Sequence, residues 1–263
     1  MYDFAYHKPS TVAEAVGLLA DPEARPISGG QTLLPALKHR LDHPSALVDL
    51  SGIAELRGIR REGDKIVIGA MARHQEIQND PAVKAAIPAL AWMAGHLGDT
   101  QVRNRGTMGG SLANNDPAAD YPSAALALGA TFVTDRRRIP ADDYFQGMFT
   151  TALEPGELLT AIEFPIPEKA GYAKMRNPAS RYVMTGVFVA RGLAGVRVVV
   201  NGAGPGVFRQ AEMEAALSAN WSPEAVANIR QSADGLNGDI HGSAEYRAHL
   251  VTVMAKRAIV DAG

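Results

Sequence analysis

The chain has 263 residues, of which 46% are hydrophobic and 21% charged, and its formal net charge is -2. These values exclude a disordered or coiled-coil protein, and the single short basic run, Arg136 to Arg138, indicates a solvated hairpin tip rather than nucleic-acid binding. Because cysteine is absent, the chain cannot form disulfides, and it has neither a thiol nucleophile nor cysteine ligands for an iron–sulfur cluster. Any redox chemistry must use a bound organic cofactor.

The N-terminus, Met1 to Phe4, lacks the basic and apolar segments of a secretory signal. No apolar run approaches the roughly 18 residues that span a bilayer. The seven histidines show neither metal-ligand spacing nor the order of a catalytic triad. The sequence therefore predicts a cytoplasmic protein without a transmembrane segment, a metal site or a catalytic residue of its own.

The first fifty residues alternate between helix and strand. The predicted elements are a helix over 11–20, a strand over 25–28, a helix over 31–41 and a strand over 46–50. Thr11 to Glu14 has the pattern of a capping box. The paired glycines Gly29 and Gly30 lie between a strand and a helix, where backbone amides are available to an anion. The two strands should be parallel because a helix separates them.

The next segment changes from helical to alternating periodicity and back. The predicted elements are strands over 56–61 and 65–70, helices over 72–78, 88–97 and 121–128, and strands over 130–134 and 158–164. Between them, Gly98 to Asp120 is polar, contains several glycines and lacks periodicity. Such a stretch in a compact domain is usually functional or disordered, and its content favours a loop around a polar ligand.

A domain boundary is predicted at Ile166 to Gly171, where two prolines and a glycine interrupt the pattern. This gives a domain over 1–167, with subdomains of about 1–54 and 55–167, and a smaller domain over 168–263. The predicted C-terminal elements are strands over 172–176, 183–190 and 196–201 and helices over 210–219, 223–231 and 243–262. The fold class is α+β, with a three-stranded C-terminal sheet.

Two glycine pairs, Gly29-Gly30 and Gly109-Gly110, are flanked by hydroxyl residues. Glycine tolerates positive φ and lacks Cβ, so such turns bring amides close to phosphate oxygens, although a single pair is more often a plain turn.

The segments Ser28 to Pro35, Arg103 to Gly110 and Asp116 to Asp120 together resemble the FAD-binding medium subunit of the molybdenum hydroxylases, a family that includes carbon monoxide dehydrogenase medium subunits and xanthine dehydrogenase FAD domains. The resemblance covers nearly the whole chain. It implies a FAD-binding domain of the vanillyl-alcohol-oxidase (PCMH) type, followed by a C-terminal domain of the carbon monoxide dehydrogenase flavoprotein type. The segment Val200 to Gly204 favours the carbon monoxide dehydrogenase branch.

The resemblance implies that both glycine turns line the FAD pyrophosphate, with Thr32 and Thr107 as hydroxyl donors and the glycines permitting close approach. The residues implied are Ile27, Ser28, Gly29, Gly30, Gln31, Thr32, Leu33, Leu34, Thr107, Met108, Gly109, Gly110 and Ser111.

Four further cofactor contacts are implied by the resemblance. Asp120 would hold a ribose or adenosine hydroxyl; its other possible role, which could coexist with binding, is to cap the following helix. Leu159 and Lys174 match positions that contact the cofactor, and Tyr182 would lie against the isoalloxazine unless it serves only in packing. Ser111 and Arg181 depart from the family pattern, which commonly has asparagine and an acidic residue there. Arg181 would favour an anionic reduced flavin.

The implied function is electron transfer. Electrons would pass from a large molybdenum-cofactor subunit, through a small iron–sulfur subunit, to FAD on this chain and then to an external acceptor. The implied assembly is a dimer of such heterotrimers. Two alternatives stay open: a self-contained FAD oxidoreductase with its own substrate pocket, and a non-catalytic nucleotide-binding scaffold.

Overall fold

The computed structural model describes all 263 residues, and the first part of the chain forms a small parallel sheet. Its elements are β1 (Ala5–His7), α1 (Val12–Leu18), β2 (Arg25–Ile27), α2 (Leu33–Lys38) and β3 (Ala46–Asp49). The strand order is β1-β3-β2, and both pairings are parallel, as predicted. The Thr11 hydroxyl accepts the Glu14 amide and begins α1. Helix α2 is shorter than predicted, and Arg40 just beyond it adopts a left-handed φ of 60°.

The second part contains a five-stranded antiparallel sheet covered by short helices. Two 3₁₀ turns, Leu50–Gly52 and Ala54–Leu56, lead into it. Its elements are β4 (Ile59–Glu62), β5 (Lys65–Gly69), α3 (His74–Asn79), α4 (Pro81–Ala86), α5 (Pro88–Gly95), α6 (Thr100–Arg105), α7 (Met108–Asn114), α8 (Tyr121–Ala127), β6 (Thr131–Thr134), β7 (Arg138–Pro140), α9 (Ala141–Tyr144), β8 (Phe145–Gly147), β9 (Thr150–Thr151) and β10 (Leu159–Pro165). The strand order is β4-β5-β10-β6-β7, with β8 and β9 forming a separate hairpin.

The prediction of a long loop from Gly98 to Asp120 was wrong, because this segment contains helices α6 and α7. The carboxylate of Asp99 accepts the Val102 amide at the start of α6, and Thr107 caps α7. Both helices are too short to show an apolar period. Gly109 also lowers helix propensity, but a Cβ there would lie 2.5 Å from the Ala70 Cβ, so close packing requires glycine.

The third part is a four-stranded antiparallel sheet with two helices. Its elements are β11 (Lys169–Arg176), β12 (Val183–Gly192), β13 (Gly195–Asn201), β14 (Phe208–Arg209), α10 (Ala211–Ala219) and α11 (Ala244–Ala262). The predicted three-stranded sheet was wrong because β14, with two residues, is too short to show a period. The predicted helix over 223–231 consists instead of turns, held partly by the Thr252 hydroxyl on the Ile229 carbonyl.

The C-terminal sheet has two buried faces. Tyr172 and Phe188 point towards the core of the second part, whereas Val187 and Val189 pack with α10 and α11. The chain passes between the two sheets in a short connection from Pro165 to Lys169. The C-terminal sheet is therefore packed against α5 and α8, the helices on either side of the segment from Gly98 to Asp120. None of the helices is both long and apolar enough to cross a membrane.

Candidate functional site

A cavity of about 650 Å³ lies where the three parts of the chain meet. Its walls come from the turn between β2 and α2, from helix α7 and the residues around it, and from Ser180 to Tyr182 of the C-terminal part. Both glycine turns therefore face one space, together with a segment that follows β11.

The first glycine turn presents a row of unpartnered amides. The backbone N–H groups of Gly29, Gly30, Gln31 and Thr32 donate to no acceptor within the chain, and the Thr32 hydroxyl makes no capping bond to α2. Gly30 has a φ of +69°, a conformation that favours glycine. Consecutive free amides in a turn form a concavity that binds anions.

The second glycine turn differs, because its amides are used inside the protein. The four amides of Met108–Ser111 all donate within the chain. The Met108 amide donates to the Ala72 carbonyl at 3.0 Å, and the Gly109 amide donates to the Ala70 carbonyl at 2.9 Å. The Gly110 amide donates to the Thr107 hydroxyl and the Ser111 amide to the Thr107 carbonyl, both at 3.1 Å. The amides of the two turns therefore differ: they are free at the first turn and engaged at the second.

The two turns contact each other directly. The Thr107 hydroxyl donates to the Ser28 hydroxyl at 3.2 Å, so the hydroxyl predicted to bind phosphate is engaged within the chain. A Cβ on Gly110 would lie 2.5 Å from the Ser28 Oγ, and a Cβ on Gly29 would lie still closer to the Arg105 carbonyl oxygen. Glycine is required at position 29, where the obstacle is backbone, whereas at position 110 the obstacle is the Ser28 side chain, which would have to move.

Most of the residues predicted for the site line this cavity. They are Ile27, Ser28, Gly29, Gly30, Gln31, Thr32, Leu33, Thr107, Gly109, Gly110, Ser111, Asp120, Leu159 and Tyr182. Three predicted residues do not. Leu34 packs beneath Gly30, the Met108 side chain is fully buried, and Lys174 lies behind Asp120.

Asp120 is buried in the wall of the cavity and is held by two residues of β11. Its Oδ1 accepts the Tyr172 hydroxyl at 2.8 Å and the Lys174 ammonium at 2.7 Å. Burial raises the pKa of the Asp120 carboxyl, and the Lys174 charge and these hydrogen bonds oppose that effect. Asp120 makes no capping bond to α8, so the capping alternative was wrong.

His74 also lines the cavity, although nothing in its sequence context distinguishes it from the other histidines. Its Nδ1 hydrogen-bonds the Tyr121 hydroxyl at 3.1 Å, and its backbone amide donates to the Gly106 carbonyl. Burial, with a smaller effect of the Arg103 charge, lowers its pKa to about 4, so the imidazole is neutral at pH 7. No sequence signal could have found it, because its partners are distant in the chain.

The C-terminal part contributes an aromatic side chain to the wall. Tyr182 lines the cavity and is 55% exposed, and partial burial, together with the charge of Asp116, raises its pKa. The preceding Arg181 has a left-handed φ of 65°, and its guanidinium donates to the Gly98 carbonyl at 3.1 Å. That bond ties the C-terminal segment to the loop between α5 and α6, beside Leu97, which also lines the cavity.

Family models match both major parts of the chain. The FAD binding domain in molybdopterin dehydrogenase matches residues 2–167, and the CO dehydrogenase flavoprotein C-terminal domain matches residues 181–262.

Individual proteins match over nearly their full length. The carbon monoxide dehydrogenase medium chain of Hydrogenophaga pseudoflava is 34% identical, over 97% of this chain and 96% of that protein. The nicotine 6-hydroxylase medium subunit of Paenarthrobacter nicotinovorans is 37% identical, over 98% and 96%. Among solved structures, the reconstituted CO dehydrogenase from Oligotropha carboxidovorans superposes with a TM-score of 0.92 at 33% identity, covering 99% of this chain and 98% of that one. These matches confirm the family resemblance read from the glycine turns.

Proposed function

This chain belongs to the FAD-binding medium subunits of the molybdenum hydroxylases, and we propose that it is the electron-transfer subunit of a carbon monoxide dehydrogenase-like enzyme. The family membership makes it a FAD-binding oxidoreductase subunit. The proposal adds that it takes electrons from iron–sulfur clusters on a partner and delivers them to an external acceptor.

The residues of the cavity fit FAD. The single observation that carries the proposal is the run of unpartnered amides from Gly29 to Thr32, which matches the need of a pyrophosphate for several N–H donors. Ser111 and Thr32 add hydroxyl groups on the same cavity, and Asp120 presents a carboxylate for a ribose hydroxyl. The other predicted site residues and the domain division at residue 167 are part of this proposal.

Bound flavin would supply reversible uptake and release of electrons. The chain's own contribution is to bind and orient the dinucleotide. Gly29 and Gly110 bring the two backbone turns together, and Tyr182 provides an aromatic wall beside which a flat ring can lie. Lys174 acts through Asp120.

The partners in the proposal are a small iron–sulfur subunit and a large molybdenum-cofactor subunit, assembled as a dimer of heterotrimers in the cytoplasm. The names "medium chain" and "medium subunit" of the relatives support other subunits beside this one. The absence of cysteine supports a separate iron–sulfur subunit, because the clusters need cysteine ligands. The similarity to a carbon monoxide dehydrogenase medium chain over 97% of this chain supports that branch.

Each buried ionisable group of the cavity makes at least one structural contact. His74 bonds to Tyr121, Asp120 to Lys174, and Glu157 to Arg137. A self-contained oxidoreductase would need an acid or base directed at the substrate. This arrangement therefore supports an electron-transfer subunit over a self-contained enzyme.

The first test is the absorption spectrum and cofactor content of the purified chain. We expect flavin bands and about one FAD released per chain, as for other flavoproteins with a single dinucleotide site. Expression with its partner subunits should yield a complex that also contains iron, labile sulfide and molybdenum, and that reduces an artificial acceptor with carbon monoxide. A colourless chain that does not take up FAD would refute the proposal. A flavin-containing complex that oxidises a different substrate would refute only its carbon monoxide part.

A further inference from the structure

The cavity wall at Asp120 is supported from outside the FAD-binding domain. The two residues that donate hydrogen bonds to the Asp120 side chain, Tyr172 and Lys174, are on β11. Both bonds go to the same carboxylate oxygen, Oδ1. The second oxygen, Oδ2, makes no hydrogen bond within the chain, and the residue lines the cavity. One oxygen of the carboxylate is thus anchored and the other remains for a ligand.

Lys174 has no direct access to the cavity. Its side chain is 3% exposed, and its ammonium also donates to the His96 carbonyl at 3.0 Å. An ammonium group with two acceptors is held in one position. The cofactor contact implied by the family resemblance is therefore indirect, because the charge of Lys174 reaches the ligand through Asp120.

Asn201 of β13 adds a second tie to the same segment. Its side-chain amide donates to the Ala119 carbonyl at 2.8 Å and lies 3.4 Å from the Tyr172 hydroxyl. The amide of Gly202 donates to the Pro117 carbonyl at 3.0 Å. The backbone that leads into Asp120 is therefore bonded to the C-terminal sheet.

Strand β12 has a glycine, Gly186, where it faces the side chains of Tyr172 and Asn201. A Cβ on Gly186 of β12 would lie 2.5 Å from the Asn201 Oδ1 and 2.6 Å from the Tyr172 hydroxyl. Tyr172, Asn201 and Asp120 are all buried. The donors of this network are paired, whereas the Asn201 Oδ1 has no partner, and paired donors of this kind fix side-chain orientation.

We propose that Tyr172, Lys174 and Asn201 are positioning residues for the cofactor, which act by fixing the Asp120 carboxylate from the C-terminal sheet. The proposal rests on the proposed function, in which Asp120 receives a ribose hydroxyl of FAD. A free aspartate populates several rotamers, and a hydrogen bond weakens steeply when its angle changes. FAD affinity and recognition of the ribose therefore depend on residues that do not touch the cofactor.

The test is a comparison of Tyr172→Phe with Tyr144→Phe in the otherwise intact chain. Tyr144 is a matched control, because its hydroxyl is also buried but has no hydrogen-bond partner. Titrations would use FAD and FAD analogues that lack the 2′ or the 3′ hydroxyl of the adenosine ribose. We expect Tyr172→Phe to weaken FAD binding about tenfold and to reduce the preference for FAD over the affected deoxy analogue. Tyr144→Phe should change neither quantity.

Asp120→Asn completes a double-mutant cycle. If Tyr172 acts through Asp120, Tyr172→Phe should weaken FAD binding less in the Asp120→Asn variant than in the wild type. Additive losses, or a Tyr172→Phe variant that binds FAD weakly but keeps its full preference for FAD over the deoxy analogues, would show that Tyr172 serves only the fold. Unchanged binding in Asp120→Asn would also overturn the proposal. Absence of FAD binding by the wild type would instead be the failure of the proposed function.

Discussion

The two glycine turns have nearly the same sequence character but different structures. At Gly29-Gly30 the chain leaves four consecutive amides without partners, whereas at Gly109-Gly110 every amide is satisfied inside the chain. The first turn has the free donors that our proposal assigns to the FAD pyrophosphate, and the second turn contacts the first through the Thr107 to Ser28 hydrogen bond. Paired glycines can therefore mark either a place where a ligand approaches or a place where the protein packs closely against itself.

Alanine substitutions at the two glycines should give the largest effects. A Cβ at Gly29 would collide with a backbone oxygen, whereas a Cβ at Gly110 would meet the Ser28 hydroxyl, which is on a side chain that can rotate. We expect Gly29→Ala to weaken FAD binding about 100-fold or more and Gly110→Ala about tenfold. Fluorescence titration with FAD measures both.

Gly17→Ala is the control for these variants, because a Cβ at this position on α1 meets no atom within 4 Å. It should leave FAD binding unchanged. Equal losses in Gly29→Ala and Gly110→Ala would contradict the distinction between a backbone and a side-chain obstacle. Far-UV circular dichroism distinguishes loss of binding from loss of fold.

The second turn should be sensitive to acid because His74 lies beside it and donates its backbone amide to the Gly106 carbonyl. The pKa of His74 is lowered from its ordinary value of 6.5 to about 4 in the folded chain, so the unfolded state binds more protons between these values. Its contribution to stability is complete above about pH 6.5 and is lost as the pH falls towards about 4, a change of roughly 3 kcal/mol.

Urea unfolding of the wild type and of His74→Gln at several pH values checks this. The free energy of unfolding should depend less on pH in His74→Gln than in the wild type, and the difference should correspond to one titrating group. His43→Gln, at an exposed histidine, is the control and should retain the wild-type slope. A His74→Gln variant with the same slope as the wild type would show that another group governs acid sensitivity.

The smallest effects should separate the two threonines. Thr107→Val removes the cap of α7 and the bond to Ser28, and should lower the free energy of unfolding by about 1–2 kcal/mol. Thr32→Val removes a hydroxyl without a capping bond and should leave stability within about 0.5 kcal/mol while weakening FAD binding. Thermal unfolding and FAD titration of both variants test the pair. A stability loss in Thr32→Val as large as that in Thr107→Val would remove the contrast.

The sequence was sufficient to predict the parallel strands and the β4–β5 hairpin and to draw attention to the two glycine pairs, because each has a local pattern. It was not sufficient to distinguish the two turns. Two amides of the second turn, those of Met108 and Gly109, are satisfied by the carbonyls of Ala72 and Ala70, which lie far from it in the chain, and no local pattern indicates those acceptors. Strand β14 was missed because two residues carry no period.

The cavity shows the same limit. Asp120 could be identified by family resemblance, but its role beside Lys174 depends on a contact between residues 54 positions apart. His74 could not be identified, because its burial and its contact with Tyr121 arise only in the folded chain. Contacts between distant segments decided both cases.

The attachment of Asp120 to β11 also has a consequence for the order of events during synthesis. A ribosome produces the FAD-binding domain first, and domains generally fold as they emerge. At that stage Asp120 has no Tyr172 or Lys174 to hold it, because both follow it in the chain. In the proposed site, the Asp120 carboxylate is therefore fixed only after the C-terminal sheet has been made and has folded, and we expect chains that lack this sheet to bind FAD more weakly than the complete chain.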